Sequence, residues 1–466
     1  MAGLIGIFVS LLLLMWLAYR GASVIVLAPL LALLAAAMAG DVPLLATYTQ
    51  VFMPKMAGFV AQYFPLFLLG ALFGKVMEDS GSAAVIARRI ARGVGGRHAA
   101  VAVVLCCAVL TYGGVSLFVV VFAIYPVAGA LFREAALPKR LIPASIALGS
   151  FTFTMSCLPG SVQIQNLIPM PYFQTTAFAA PGLGMIGAAL MFTIGIAWLY
   201  GRARSAARAG EGYGAEPNSG QFHKDSAEAT VRRPSLLAAV APLLCVIAGN
   251  YVIAEFWMPE WHTSYLAEAR FGATELAKVR GTWSSIMALA AAVVLAAVLN
   301  FRSLAKLNES LTRGAMGSLL PIFNTASEVG YGATIASLPA FALVRSALVN
   351  FVPHNPLVSA ATAVTVLAGI TGSASGGLAI ALEAMGQTYY QRAIEMGISP
   401  ELIHRVASMA SGGLDTLPHN GAVITLLTIC GLTHRQSYFD IAFVSVVTPL
   451  IATACVIFLG TVFGTF

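Results

Sequence analysis

Glu328, Asp415 and His419 stand in stretches that are otherwise too apolar to carry charge. Ionisable groups at depth in an apolar medium are costly and default to function, as proton carriers or as partners for a charged ligand. His419 is the strongest of the three. An imidazole with an ordinary pKa of about 6.5 carries a proton near neutrality, and as a cation it pairs with an anion. Its plain alternative is a neutral ring bonded to a backbone carbonyl. Asp415 fits two roles, capping the half-helix that follows or pairing with His419. Glu328, in Phe323-Asn324-Thr325-Ala326-Ser327-Glu328, fits proton coupling or an ion pair to a neighbouring helix. By contrast His223, His262 and His434 fall in loops and read as solvated.

Four breaks in apolar runs surround these groups. Two are glycine and serine breaks, Thr111-Tyr112-Gly113-Gly114-Val115-Ser116 and Thr371-Gly372-Ser373-Ala374-Ser375-Gly376-Gly377. Two are proline breaks, Leu158-Pro159-Gly160-Ser161 and Leu417-Pro418-His419-Asn420-Gly421. A broken backbone inside lipid is tolerated only where it is buried in protein or lines a polar cavity. Half-helix N-termini at such breaks carry partial positive charge and suit an anion, and small residues let backbone N–H groups come close to it. The hydroxyls of Ser116, Ser161, Thr371, Ser373 and Ser375 and the amide of Asn420 are candidate ligands. Bonding of those hydroxyls back to helix carbonyls is the plain alternative. Close helix packing is the plain role for each glycine. Gln163, Gln165 and Asn166 follow the first proline break and fit either ligand contacts or packing.

The elements that position these breaks are membrane helices. Hydrophobic residues make up 59% of the 466 residues and charged residues only 10%, against roughly 25% charged in soluble domains. Arg140 and Arg202 are successive charged residues. With about 20 apolar residues needed per span, the stretch between them crosses a bilayer more than once. The net charge of +7 is the excess that cytoplasmic loops carry in membrane proteins, so no nucleic-acid partner is implied. The six cysteines lie in apolar segments without zinc-ligand spacing and read as small hydrophobes. No cofactor is implied. Residues 1–19 have no basic residue ahead of their apolar run, the reverse of a cleaved signal peptide, and read as a retained first helix.

A polar stretch around residues 201–234 divides the chain into halves, 1–200 and 235–466. Each half shows the same order: two apolar helices, a glycine-containing helix, a short amphipathic piece, a long uncharged run with a small-residue break, a helix with a proline break, and a closing apolar helix. Gly70 pairs with Gly330, Gly113 with Gly372 and Pro159 with Pro418 at an offset near 260 residues. A straight helix over residues 98–132 would be about 50 Å long, too long for one span of a ~30 Å core. A re-entrant hairpin with its tip near Gly113-Gly114 fits better. Each half then crosses five times, and an odd number makes the repeat inverted. The fold expected is an all-α polytopic membrane protein with two such halves. The orientation that puts most of the 26 lysines and arginines in the cytoplasm places the loop 201–234 there too, with both chain ends outside.

The run Gly412-Gly413-Leu414-Asp415-Thr416-Leu417-Pro418-His419-Asn420-Gly421-Ala422-Val423, followed by Cys430-Gly431-Leu432-Thr433-His434, resembles the gluconate permease (GntP-type) family of the ion-transporter superfamily. The resemblance implies a bacterial inner-membrane proton symporter of a hydroxy-monocarboxylate such as gluconate or 3-hydroxybutyrate. It also implies a homodimer with scaffold helices at its interface and a transport domain carrying the hairpins. The matching residues are Asp415, Pro418, His419 and Asn420, with Gly113-Gly114 and Pro159-Gly160 in the first half. The motif differs from gluconate-transporting members in His and Asp content, which leaves the acid open.

Other classes fit less well. A channel needs rings of charge or carbonyls along a continuous pore, and few charges lie at depth here. A cation antiporter needs only buried carboxylates, which Asp415 and Glu328 supply. An enzyme needs a nucleophile with a base in reach, and neither H-E-x-x-H nor G-x-S-x-G occurs. Hydroxyls and backbone carbonyls at the breaks leave Na+ open as a coupling ion, while His419 favours H+. Single cysteines in place of Asn218 and Glu395 are expected to label from opposite sides of the membrane; labelling from one side alone rejects the inverted topology.

Overall fold

A computed structural model of the chain describes residues 2–466 other than 21, 41, 96–97, 116, 215–233, 302–303, 305, 353 and 419. Its described residues form helices joined by turns and loops, without strands. Among the described residues five helices are long and apolar enough to cross a membrane: Leu44–Asp79, Pro181–Arg208, Leu236–Glu260, Leu276–Leu299 and His434–Phe463. Leu307–Ser337 and Phe341–Val349 pass the same test as a pair, bent by 101° at the intervening break. Shorter apolar helices include Ala99–Tyr112, Pro356–Thr371 and Gly421–Cys430. Many large apolar side chains on these helices point outward, such as Leu45 and Leu237. Lipid is the medium that accepts them, and the chain is an integral membrane protein.

Two long helices form the axis of the molecule. Leu44–Asp79 packs along Leu307–Ser337, and Gly314 lets the backbones close. A β-carbon there would lie 3.1 Å from the Leu72 Cα. Helix Val24–Ala39 packs on Leu307–Ser337, and Leu276–Leu299 packs on Leu44–Asp79. The segments that carry the breaks pack together beside it. Helix Ala99–Tyr112 meets Leu117–Glu134 and Ile142–Ser150, while Pro356–Thr371 meets Ala374–Glu395 and Pro400–Ser411. Helices Pro181–Arg208 and His434–Phe463 pack on each other and close the two chain halves.

A buried carboxylate fixes where these closing helices meet. Asp440 is 1% exposed and accepts from Arg140 (2.9 Å), Arg202 (2.6 Å) and the indole of Trp198 (3.1 Å). An unpaired carboxylate at that depth would be strongly destabilising, so the three donors hold their helices in register. Arg140 also donates twice to Glu211. Its guanidinium hydrogen bonds hold the Glu211 carboxyl below the usual carboxylate range. That contribution is present above the unfolded-chain pKa and is lost as pH falls through the lowered folded value.

The helix ending the first half runs on to Arg208, so residues 201–208 of the expected polar loop are helical. Arg202, Arg204 and Arg208 are good helix formers, and Arg202 is held by Asp440. His434 is likewise not a solvated loop residue. It begins helix His434–Ala442, its Nε2 lies 3.0 Å from the Pro418 carbonyl, and its ring packs on Tyr438.

Candidate functional site

The first proline break starts where Thr152 leaves helical geometry (φ −122°, ψ −114°). The chain then makes one turn at Phe153–Ser156, unwinds, and makes another at Ile164–Leu167. Gly160 has φ +79°, a conformation that favours glycine, and its N–H donates to the Ala177 carbonyl (2.9 Å). The Pro159 carbonyl accepts from Tyr112 Oη (2.6 Å). Ser161 is fully buried and its hydroxyl donates to the Thr154 carbonyl (2.7 Å). Gln163 Nε2 reaches across to the Thr111 carbonyl (2.6 Å). That bond ties the break to the glycine turn, where Gly114 has φ +94° and Gly113 packs against Leu243.

The second half solves the same problem with one amide. Asn420 Nδ2 donates to the Gly372 carbonyl (2.8 Å) and the Asp415 carbonyl (2.9 Å), while its Oδ1 caps helix Gly421–Cys430 at Val423 N (2.9 Å). The starts of Ala374–Glu395 and Gly421–Cys430 are thereby brought together. Gly372 has φ +62°. Ser373 caps its helix by accepting from Gly376 N (3.0 Å), and the Thr371 hydroxyl donates back to the Leu367 carbonyl (2.9 Å). The Ser375 hydroxyl lies 3.3 Å from that of Thr325. Glu328, 3% exposed, lies against Gly376 so closely that a methyl group there would collide with its carboxylate. Its Oε2 has no hydrogen-bond partner, and neither has Oδ1 of Asp415, which is 6% exposed.

A cavity of about 350 Å³ adjoins the first break, within the size range of small-molecule sites. Its walls come from Gly70 on Leu44–Asp79, from Gly114, Gln163 and Gln165 at the break, and from Ser318 and Pro321 on Leu307–Ser337. Lys75 and Arg313 also line it. The Arg313 side chain is 60% exposed and marks the rim. Lys75 is paired with Asp79 (2.8 Å) and Glu78 (3.2 Å), and Arg313 with Glu309. Thr325 bonds back to the Pro321 carbonyl (3.2 Å), so the helix face that lines the cavity runs on to Thr325 and Glu328.

Toward the other end of Leu44–Asp79 an ion pair links it to Ala374–Glu395. Lys55, about 30 Å from Lys75 along a continuous helix, pairs with Glu383 (2.6 Å), which also accepts from Tyr172 (3.2 Å). Tyr63 donates to the Ile168 carbonyl (3.1 Å).

The sequence profile described as GntP family permease matches residues 2–309. The chain belongs to this family. A Bacillus subtilis (strain 168) protein described as the uncharacterized transporter YxjC is 47% identical over 463 residues, with 97% of each chain covered. The chain is therefore a secondary transporter and not an enzyme. Among the described residues no cluster of three or more His, Cys, Asp or Glu could hold a metal ion.

For this permease the structure assigns the candidate residues to distinct environments. Ser116 and His419 lie outside the described residues. Gly114 borders the cavity, whereas Ser161, Thr371 and Ser373 use their hydroxyls on backbone groups. Asp415 does not cap the following half-helix, because Asn420 does. Paired glycines differ: Gly70 borders the cavity, whereas Gly330 is covered by Phe52, whose ring would lie 3.0 Å from an added β-carbon.

Arg405 is a functional candidate that sequence patterning does not single out. Arg405 is fully buried on Pro400–Ser411. Its guanidinium donates to the carbonyls of Ser156 (2.8 Å) and Ala179 (2.7 and 3.0 Å) and to Asn166 Oδ1 (2.9 Å). Asn166 in turn donates to the Ser161 and Ala177 carbonyls, both at 2.8 Å. One cation from the second half thus satisfies the unwound backbone of the first. Its neighbour His404 is also fully buried, with Nδ1 2.5 Å from the Thr175 hydroxyl and Nε2 unpartnered. The available signal was local: apolar residues flank His404-Arg405 on both sides, in Leu402-Ile403 and Val406-Ala407. Arg405→Lys keeps the charge but loses the five-donor fork. We expect a lower melting temperature in detergent, the loss reaching about 3–5 kcal/mol if the cage opens fully. Melting like the unaltered protein would show that the cage does not hold the break.

Proposed function

We propose that this permease is a proton-coupled symporter of a small hydroxy-monocarboxylate, of the gluconate or 3-hydroxybutyrate type, working by alternating access. The observation that carries the reading is the cavity that ends on the broken segment of the first half. The Gln163 and Gln165 amides and Ser318 line it, and Lys75 and Arg313, each paired with carboxylates on its own helix, border it. Backbone turns at Gly113-Gly114 and Pro159-Gly160-Ser161 supply the first-half side of the binding region. In the second half, Thr371-Gly372-Ser373-Ser375 and His419-Asn420 supply the other.

The two halves, 1–200 and 235–466 with the linker 201–234, act in this reading as an inverted repeat of five crossings each. A re-entrant hairpin and a broken helix in each half meet near the midplane, an arrangement that recurs in transporters. Recurrence of helix, glycine turn and helix at 99–134 and 356–395 supports it. The transporter works as a homodimer in the inner membrane, with the linker and the cavity mouth on the cytoplasmic side. Glu328 is the coupling group, assisted by Asp415 and His419. A buried carboxyl with an unpartnered oxygen, on the helix face that runs from the cavity, takes up and releases a proton as access alternates.

Uptake of labelled gluconate and 3-hydroxybutyrate into vesicles containing the purified protein tests this. An inward proton gradient is expected to drive accumulation that an uncoupler abolishes, while a sodium gradient drives none. Glu328→Gln is expected to abolish gradient-driven accumulation yet retain exchange of labelled for unlabelled acid. His419→Ala is expected to abolish uptake. No accumulation of any carboxylate under either gradient would overturn the reading.

The Lys55–Glu383 pair has a role in the same cycle. For the cavity to open to the other side, Lys55 and Glu383 must part. Cysteines at both positions, cross-linked, are expected to stop uptake and release it on reduction. Full-rate transport while cross-linked would remove this pair from the gate.

A further inference from the structure

We propose that Gln165 recognises a hydroxyl group of the transported acid and sets the preference for hydroxylated over plain carboxylates. The inference rests on the symporter reading above and names a residue for its specificity. Three amide side chains lie close together in Gln163-Ile164-Gln165-Asn166. Two of them hold the break together. Gln163 Nε2 donates to the Thr111 carbonyl, and Asn166 is engaged by Ser161, Ala177 and Arg405. Gln165 differs. It lines the cavity, is 6% exposed, and its Oε1 is buried without a hydrogen-bond partner.

A buried amide oxygen without a donor is destabilising, and few native side chains are left so. A partner from the cavity removes that cost. The chemistry of the oxygen restricts the partner. Oε1 accepts and does not donate, so once the side chain turns to the cavity it takes a hydroxyl, while Nε2 of the same amide donates to an oxygen of the acid. An ammonium group could also donate, but the symporter reading on which this inference rests makes the transported molecule an anion. What remains is an acid whose carboxylate sits elsewhere in the cavity and whose hydroxyl reaches Gln165. Polar groups built to bond a hydroxyl discriminate strongly against the analogue that lacks it, because the site is then left unpaired.

Gln165→Met keeps the length of the side chain and removes its polar atoms. The full-length protein in vesicles is assayed for uptake of labelled 3-hydroxybutyrate, with unlabelled 3-hydroxybutyrate and butyrate as competitors. The unaltered protein is expected to prefer the hydroxy acid by about ten-fold or more. In Gln165→Met that preference collapses toward parity, because competition by 3-hydroxybutyrate weakens while competition by butyrate holds. Melting temperature in detergent is expected to stay level or rise, since an unpartnered oxygen has been removed. Gln165→Ala is the second variant, in case the thioether packs badly, and the same collapse is expected. A hydroxyl preference that survives in either folded variant overturns the inference and leaves the symporter reading intact. A protein that takes up no carboxylate at all overturns both.

Discussion

Backbone that leaves a helix inside an apolar medium must find hydrogen bonds within the protein, and this constraint organises the fold. The first proline break exposes carbonyls at Ser156, Ser161, Ala177 and Ala179. Arg405 and Asn166 cover them all. The second break and its glycine turn are tied by Asn420, with His434 at the Pro418 carbonyl and Tyr438 at the Thr416 carbonyl. Removing the guanidinium would leave several carbonyls unsatisfied at once, which makes a buried cation without a carboxylate partner tolerable at this position. The bonds also bind the halves together, because the cation of one half serves the backbone of the other.

The same constraint limits which polar groups remain for a ligand. Hydroxyls of Ser161 and Thr371 donate to local backbone carbonyls, while that of Ser373 accepts from Gly376 N and lies 3.4 Å from that of Ser375. Uncommitted atoms are few: Oε2 of Glu328, Oδ1 of Asp415, Nε2 of His404 and Oε1 of Gln165 among them. Of these four residues, Gln165 borders the cavity, and Glu328 lies on the helix face that runs on from it. Function in a permease of this family is then sought in what the folded chain leaves unbonded rather than in its most polar segments.

An asymmetry between related positions gives the structure its direction. Gly70 borders an open cavity, whereas Gly330 is packed under Phe52. Lys75 and Arg313 pair with carboxylates on their own helices beside the cavity, whereas Lys55 pairs across to Glu383, which Tyr172 also bonds. Long helices shared by both ends connect the two conditions. A difference of this kind between two ends is what a transporter needs if its site is to face one side at a time.

Membrane residence was legible in the amino-acid sequence, because hydropathy is additive along the chain and needs no partner. So were the breaks: Gly114, Gly160 and Gly372 do take positive φ, and proline and glycine impose their geometry locally. The family was legible in the 412–434 motif for the same reason. Pairings between distant segments were not. Whether Arg405 faced water or the centre depended on carbonyls more than 200 residues away in the chain. Asp415 and Asn420 are both plausible caps, and only the packed Gly372 turn decides that Asn420 takes the role. The cavity is a space between helices from both halves, so no single stretch of sequence encodes it. Local covalent geometry and hydropathy thus belong to the sequence, while the satisfaction of buried polar groups belongs to the tertiary structure, because a hydrogen bond has two ends.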